Sequence, residues 1–156
     1  MQDSNCIRTA TPNDLARIIE LENLCFPKLH AYTRRQIRYL LCKANSTVLV
    51  ETTGTFVRGF IIILYRRGTT VAGIETINVD PVHRKKRIGL RLLSAAEQYM
   101  KKKGICKIRL EVAITNHAAI RLYEHVGFEK TMLLKAYYHF NHDGSRDAYR
   151  MVKELR

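Results

Sequence analysis

The stretch Val-Asp-Pro-Val-His-Arg-Lys-Lys-Arg-Ile-Gly-Leu-Arg-Leu-Leu, Val79 to Leu93, joins two segments of different periodicity. Upstream, Val71–Val79 is rich in Val, Ile and Thr and suits a strand. Downstream, Leu92, Leu93, Ala96 and Met100 fall on one face of a helix over Leu90–Met100. A strand therefore runs into a short basic loop, and the loop opens a helix. A helix start leaves backbone N–H groups unpaired at the positive end of its dipole, where phosphate is favoured. Five consecutive basic residues, His83–Arg87, add mobile positive charge, and Gly89 lets the backbone approach closely. The stretch predicts a diphosphate cradle. The other reading of the same residues is a solvated charge run ahead of a helix.

Working outward, Cys6–Thr9 reads as a short strand, and Thr11-Pro12 as an N-cap followed by proline. Leu15, Ile18, Ile19, Leu21 and Cys25 carry a helix to about Asn23 or a little beyond, with Glu20 and Glu22 among its polar positions, and Phe26-Pro27 ends it. Thr33 caps a second helix with Ile37, Leu40 and Leu41 inward and Arg34, Arg35 and Arg38 outward. Thr47–Thr52, Phe56–Tyr65 and Val71–Val79 form a three-strand antiparallel meander. The helix after the basic loop stops near Lys103-Gly104. Lys107–Val112 is a strand, Asn116–His125 a helix, and Gly127 its stop. Phe128–Tyr138 and Ala148–Lys153 resume the strands, with Asp143-Gly144 between them. Helices flanking one mixed sheet give an α/β or α+β fold, expected as a single domain over residues 1–156.

The composition narrows the class. A chain of 156 residues with 46% hydrophobic and 26% charged residues suits one globular domain rather than disorder. No apolar run approaches the ~20 residues that span a bilayer. The opening Met1-Gln-Asp-Ser-Asn-Cys has no signal-peptide pattern, so a cytoplasmic location and no membrane partner are expected. Cys6, Cys25, Cys42 and Cys106 are irregularly spaced, which disfavours a metal site and suggests reduced core thiols. The net charge of +13 calls for an anionic partner: nucleic acid, a ribosome, an acidic peptide or a polyphosphate cofactor. A single phosphate-rich cofactor would use only the cluster at His83–Arg91, leaving those at Arg34–Arg38, Arg66–Arg67 and Lys101–Lys107 unexplained.

Two motifs carry a family resemblance. Pro81-x-x-Arg84-x-x-Arg87-Ile88-Gly89 resembles the acetyl-coenzyme A signature of the GNAT superfamily of N-acetyltransferases, Arg/Gln-x-x-Gly-x-Gly/Ala at a strand-to-helix junction. It matches at Arg84 and Gly89 and departs at Arg87, where the family usually has its first glycine. Leu110-Glu111-Val112-x-x-x-Asn116-x-x-Ala119-Ile120-x-Leu122-Tyr123-x-x-x-Gly127-Phe128 resembles the branch that acetylates protein N-termini, ribosomal-protein-alanine and archaeal N-terminal acetyltransferases among them. With the C-terminal tyrosines the resemblance runs from about Ile7 to Met151. It implies the GNAT fold, a mixed, mostly antiparallel central sheet flanked by helices. It also implies acetyl-coenzyme A as acetyl donor and a protein or peptide N-terminus, ribosomal or nascent, as acceptor.

The same resemblance assigns residues. Arg84, Lys85, Lys86, Arg87, Ile88, Gly89 and Leu90 would hold the diphosphate. Ile77, Asn78 and Val79 would offer backbone groups to the pantetheine arm as if to another strand, so their side-chain identity should matter little. Asn116 would hydrogen-bond the pantetheine, and Tyr123 would lie beside the thioester. Phe26-Pro27 and Tyr137-Tyr138, the latter followed by Asp143-Gly144 and Asp147-Ala148, resemble the lining of the branch's peptide pocket. Glu111 and Tyr123 match its base and acid.

The chemistry agrees with those residue types. Acyl transfer to an amine needs the amine neutral, and an α-amino group has a pKa near ~7.7–8.0. A carboxylate such as Glu111 can take the proton, directly or through water, and a phenol such as Tyr123 can supply one to the departing thiolate. For such an acetyltransferase the expected mechanism is direct transfer in a ternary complex, without an acyl-enzyme. Glu75 is a rival base, and the histidines His83, His117, His125, His139 and His142 read as surface or supporting groups. A solvated Glu and a core Tyr remain the plain alternative for the pair. Two other functions stay open. One is acetylation of lysine, whose pKa of ~10.4 demands a stronger base, or of a small amine. The other is a nucleic-acid or ribosome-binding module that keeps the fold as a scaffold.

Overall fold

The computed structural model describes residues 4–156; the first three, part of the opening stretch read for a leader, lie outside the described residues. Strands β1 (Asn5–Thr9), β2 (Ser46–Thr53), β3 (Phe56–Tyr65), β4 (Val71–Val79), β5 (Lys107–Ala113), β6 (Glu129–Leu134) and β7 (Ala148–Glu154) form one sheet in the order β1-β2-β3-β4-β5-β7-β6. Helices α1 (Leu15–Cys25) and α2 (Arg34–Cys42) precede β2, α3 (Ile88–Lys102) joins β4 to β5, and α4 (His117–His125) follows β5. Among the described residues, no helix is long and apolar enough to cross a membrane.

The near-continuous apolar run Phe60-Ile-Ile-Ile63 forms a strand because both faces of β3 are covered. Ile61 and Ile63 lie with Leu49, Ile74 and Leu110 beneath α3 and α4, which contribute Leu92, Ala96, Met100 and Ile120. Phe60 and Ile62 lie with Val48 and Val50 beneath Ile18, Leu21, Ile37 and Leu40 of α1 and α2. The period of two in the strands thus sorts alternate residues into two cores, and each fully buried Leu or Ile contributes about 1.5–3 kcal/mol.

β2, β3 and β4 form the expected antiparallel meander, which β1 extends. β4 and β5 are parallel, as the α3 crossover requires. Their pairing covers only Val71–Gly73 against Lys107–Arg109. Beyond that point β5 is held by β7 and β4 by β3, and the two part. The sheet opens there into a cleft.

The helix starts are specified locally. Thr33 accepts from the Gln36 N–H and Gln36 answers to the Thr33 N–H, while Asn116 accepts from the Ala119 N–H. At α1 the chain first makes a 3-10 turn, Pro12–Asp14, so the helix proper begins at Leu15, later than Thr11-Pro12 alone implies. Arg8 grips Asp14 there with bonds of 2.7 and 2.9 Å and holds its carboxyl below the usual range.

Three expectations are corrected. The strand from Phe128 does not reach Tyr138: it ends at Leu134, because Ala136 turns left-handed (φ 52) and gives its N–H to Asp147, which lifts Tyr137 and Tyr138 into a loop. The four thiols are free, but Cys6, Cys42 and Cys106 are exposed and Cys25 half-buried, since they sit at element ends rather than on core faces. Glu22, grouped with the polar positions of α1, is 1% exposed.

Candidate active site

The parting of β4 and β5 leaves a cavity of about 940 Å³, bounded by the starts of α3 and α4 on one side and by the α1–α2 and β6–β7 connections on the other. Its size is that of a small-molecule site. Ile77, Asn78 and Val79 line it, and β4 there has a strand neighbour only in β3.

The basic loop forms one end. Asp80 accepts from the Val82 N–H at 3.0 Å and from Arg17 at 2.6 Å; burial alone would raise its carboxyl, but these bonds hold it below the usual range. α3 then starts without a side-chain cap, unlike α2 and α4. The N–H groups of Ile88, Gly89 and Leu90 are left at the cavity wall, where an anion would complete them. Arg87 precedes them with φ 60 and ψ 21. That left-handed conformation is a physical reason for glycine at this position, beyond the close approach of a ligand.

Arg84, Lys85 and Arg87 line the cavity with Ile88, Gly89 and Leu90. Lys86 is not part of the lining: its Nζ lies 3.3 Å from His83 Nδ1, and its carbonyl accepts from Arg91 at 3.0 Å. A Cβ on Gly89 would lie 3.4 Å from Leu122 Cδ2, so this glycine also sets the spacing of α3 and α4.

Glu111 and Tyr123 both face the cavity. Arg150 donates to Glu111 Oε1 at 3.1 Å, and Arg109 lies 3.4 Å from the same oxygen. Oε2 accepts no hydrogen bond from the described residues, so the carboxylate is anchored by one oxygen and open at the other. The Tyr123 ring is buried against Phe128, 5.8 Å away edge to face. Burial, then the neighbouring Tyr138, pushes its phenol well above the ordinary range, so it stays protonated through neutral pH. Asn116 also lines the cavity, but its Oδ1 caps α4, which leaves its amide N–H₂ as the group to meet a ligand.

The far end holds Phe26, Tyr138 and several residues that the sequence did not single out for the site. Pro27 and Tyr137 are not in its lining. Glu22 accepts from the Tyr32 N–H at 3.1 Å and from Asn78 Nδ2 at 2.5 Å, and burial pushes its carboxyl upward. The side chain of Asn78 therefore matters, contrary to the expectation for the β4 edge. The Tyr32 hydroxyl donates to Glu75, which also faces the cavity. His30 of the α1–α2 connection stacks on His142 of the β6–β7 connection at 4.1 Å, and the Tyr138 ring lies 4.1 Å from His142. Burial, then His30, holds the His142 imidazole below its usual range. Burial pushes Tyr138 up to about 12. The signal for Glu22 was present in the helical spacing, since it follows Ile18 by four residues and precedes Phe26 by four. The contacts of His30 and Tyr32 are tertiary and left no local trace.

Comparison with known proteins adds a lineage to this geometry. Residues 15–128 match the model of the acetyltransferase (GNAT) family. An N-alpha-acetyltransferase of Saccharolobus solfataricus is 30% identical over 162 residues, covering 96% of this chain and 92% of that one. A Mycobacterium leprae protein is 35% identical over 154 residues, covering 96% of this chain but only 41% of its own length. Among solved structures, the ribosomal-protein-S18-alanine N-acetyltransferase of Escherichia coli superposes with a TM-score of 0.86 at 24% identity, over 97% of this chain and 94% of that one.

Proposed function

The chain belongs to the acetyltransferase (GNAT) family, and from that premise we propose that it moves an acetyl group from acetyl-coenzyme A to the α-amino group of a protein or peptide N-terminus. The observation that carries the reading is the cleft between β4 and β5, with an open carboxylate oxygen on Glu111, a protonated phenol on Tyr123 and an acceptor end bounded by two loops. The naming of the archaeal relative as an N-alpha-acetyltransferase supports the choice of amine.

Acetyl-coenzyme A supplies an activated thioester. The residues of the chain divide the remaining work. The uncapped N–H groups of α3, with Arg84, Lys85 and Arg87, fit a diphosphate, and the β4 edge at Ile77–Val79 fits an amide-bearing arm. Glu111 Oε2 receives the proton of the amine, while Arg150 and Arg109 fix the carboxylate through Oε1. The phenol of Tyr123 donates a hydrogen bond to the leaving sulfur. Because its pKa is raised, full proton transfer to a thiolate whose thiol has pKa near ~8.5 is uphill, so its contribution is stabilisation of charge rather than release of a proton.

The test of the acceptor is a panel of peptides with free, blocked and lysine-bearing N-termini, read by mass. Acetylation is expected on free α-amines. Modification confined to lysine side chains would end the N-terminal reading.

Two substitutions probe the two ends of the cleft. Arg87→Gly is expected to bind acetyl-coenzyme A and to melt no lower than the parent, because relief of a left-handed residue is worth ~1 kcal/mol against glycine's greater chain entropy. Arg87→Glu should bind markedly more weakly at low salt and recover part of the loss at high salt. Calorimetry at two salt concentrations decides; equal affinity for parent and Arg87→Glu at low salt would place the side chain outside the cradle. At the other end, Tyr138→Ala should raise the peptide KM by about tenfold or more, the scale of one ~1.4 kcal/mol interaction, with little change for acetyl-coenzyme A. Tyr137→Ala should do less, since its ring is outside the cavity lining. Equal effects on both substrates from Tyr138→Ala, with a lower melting temperature, would reduce that residue to packing.

A further inference from the structure

The cleft uses few of the chain's cations, and the fold gathers others at the opposite pole of the sheet. The β3–β4 turn carries Arg66 and Arg67, α3 ends in Lys101 and Lys102 with Lys103 just beyond it, and β5 begins at Lys107; all six are exposed. They come from separate segments fastened together. The N–H groups of Cys106 and Lys107 donate to the Thr70 carbonyl at 2.8 and 3.2 Å, and Lys103 Nζ lies 4.7 Å over the Tyr65 ring. α3 runs between the two poles, so its 15 residues separate this surface from the cleft by roughly 20 Å. Lys107 lies 3.9 Å from Glu154; the other five have no carboxylate within ion-pair distance among the described residues. Lys101 and Lys102 complement the dipole at the end of α3, which accounts for two of the six and not for the turn or the start of β5.

We propose that this pole is a docking surface for the phosphate backbone of double-helical nucleic acid, held while the cleft stays open to its acceptor. The chemistry favours phosphate over a protein or a lipid surface. No large exposed apolar residue belongs to residues 66–70 or 101–107, and Tyr99, which borders them on α3, has its hydroxyl 3.2 Å from that of Thr9, so the surface lacks the broad apolar centre of a protein interface and the anchor of a membrane-surface element. It is rich in lysine and arginine, which suit phosphate contacts that carry no sequence preference. RNA and DNA present the same backbone charge, so both are candidate sources.

The experiment is fluorescence anisotropy of the full chain against a labelled RNA duplex and a DNA duplex of the same sequence, over a range of salt. Log Kd should rise linearly with log salt, by about 0.9 per phosphate neutralised on DNA. Arg66→Glu with Arg67→Glu, and separately Lys101→Glu with Lys102→Glu, should each weaken binding and reduce the slope by about 1 for every phosphate left without its cation. The turn pair should leave the melting temperature unchanged, while the α3 pair, which reverses charge at the end of the helix dipole, should lower it slightly. Arg34→Glu with Arg38→Glu, on the outer face of α2, should leave both values near those of the parent. Binding to one duplex or both supports the proposal and identifies the source. It is overturned by the absence of salt-dependent binding to either duplex or by an equal weakening from the α2 pair.

Discussion

Tyr123→Phe is expected to lower turnover by about 10²–10³-fold, the range for loss of one hydrogen-bond donor at a site of developing charge, with affinity for acetyl-coenzyme A nearly unchanged. The substitution removes the hydroxyl alone. The ring keeps its edge-to-face packing on Phe128 and its place in the core with Leu110 and Met151, so the melting temperature should hold. The pH profile separates two roles for the phenol. A proton donor with an ordinary pKa would give the parent an alkaline limb as it ionised. Burial keeps Tyr123 protonated well above that range. The parent rate should therefore rise as the α-amine loses its proton near ~7.7–8.0 and stay level on the alkaline side. The Phe variant should show the same profile at a lower rate. A variant with full turnover would remove Tyr123 from the chemistry, and an alkaline limb present in the parent but absent in the variant would restore it as a proton donor.

Much of the fold was legible because it is written in local periodicity. β3 and β4 have the bounds read from Val, Ile and Phe runs, and α3 buries Leu92, Leu93, Ala96 and Met100, the stripe expected of it. Thr33 announced α2 through cap chemistry, whereas Asn116, read only as the first residue of the next helix, proves to cap α4 in the same way. The parting of β4 from β5 was not legible in this way, since it depends on how far two strands distant in sequence stay paired: they separate after Gly73 and Arg109, while β7 follows the other edge of β5 along its whole length. The segment from Leu134 to Tyr138 misled because Leu, Ala and Tyr suit a strand, whereas its course is set by Asp147, eleven residues after Ala136. The site divides in the same way. The residues proposed for the cradle, and the proposed pair Glu111 and Tyr123, came from contiguous motifs. The hydrogen bonds of Glu22, Tyr32, Glu75 and Asn78 join residues up to 56 positions apart, and no spacing rule gathers them.

Arg58→Ala is expected to cost about 3–5 kcal/mol, the scale for removing one partner from a buried ion pair. Glu51 is fully buried, and Arg58 meets both its oxygens, through Nε at 2.9 Å to Oε2 and through Nη2 to Oε1. Arg91 adds a bond of 2.7 Å to Oε1 from a side chain that is 39% exposed. Without Arg58 the carboxylate stays buried beside one partly solvated cation. For a chain of this length the loss corresponds to roughly 6–20 °C in melting temperature. The double variant Glu51→Leu with Arg58→Met should lose less than Arg58→Ala, because it removes the buried charge together with its partner. The network also reaches the cradle, since Arg91 donates its other nitrogen to the Lys86 carbonyl at 3.0 Å. Arg91→Ala, at a partly exposed position, should cost far less stability yet weaken acetyl-coenzyme A, because the carbonyl that precedes Arg87 loses its tether. Denaturant titration and calorimetry on the three variants separate the effects. A double variant less stable than Arg58→Ala would mean that the pair adds more than it costs to bury, and an Arg91→Ala variant of full affinity would show that the loop holds its shape without Glu51.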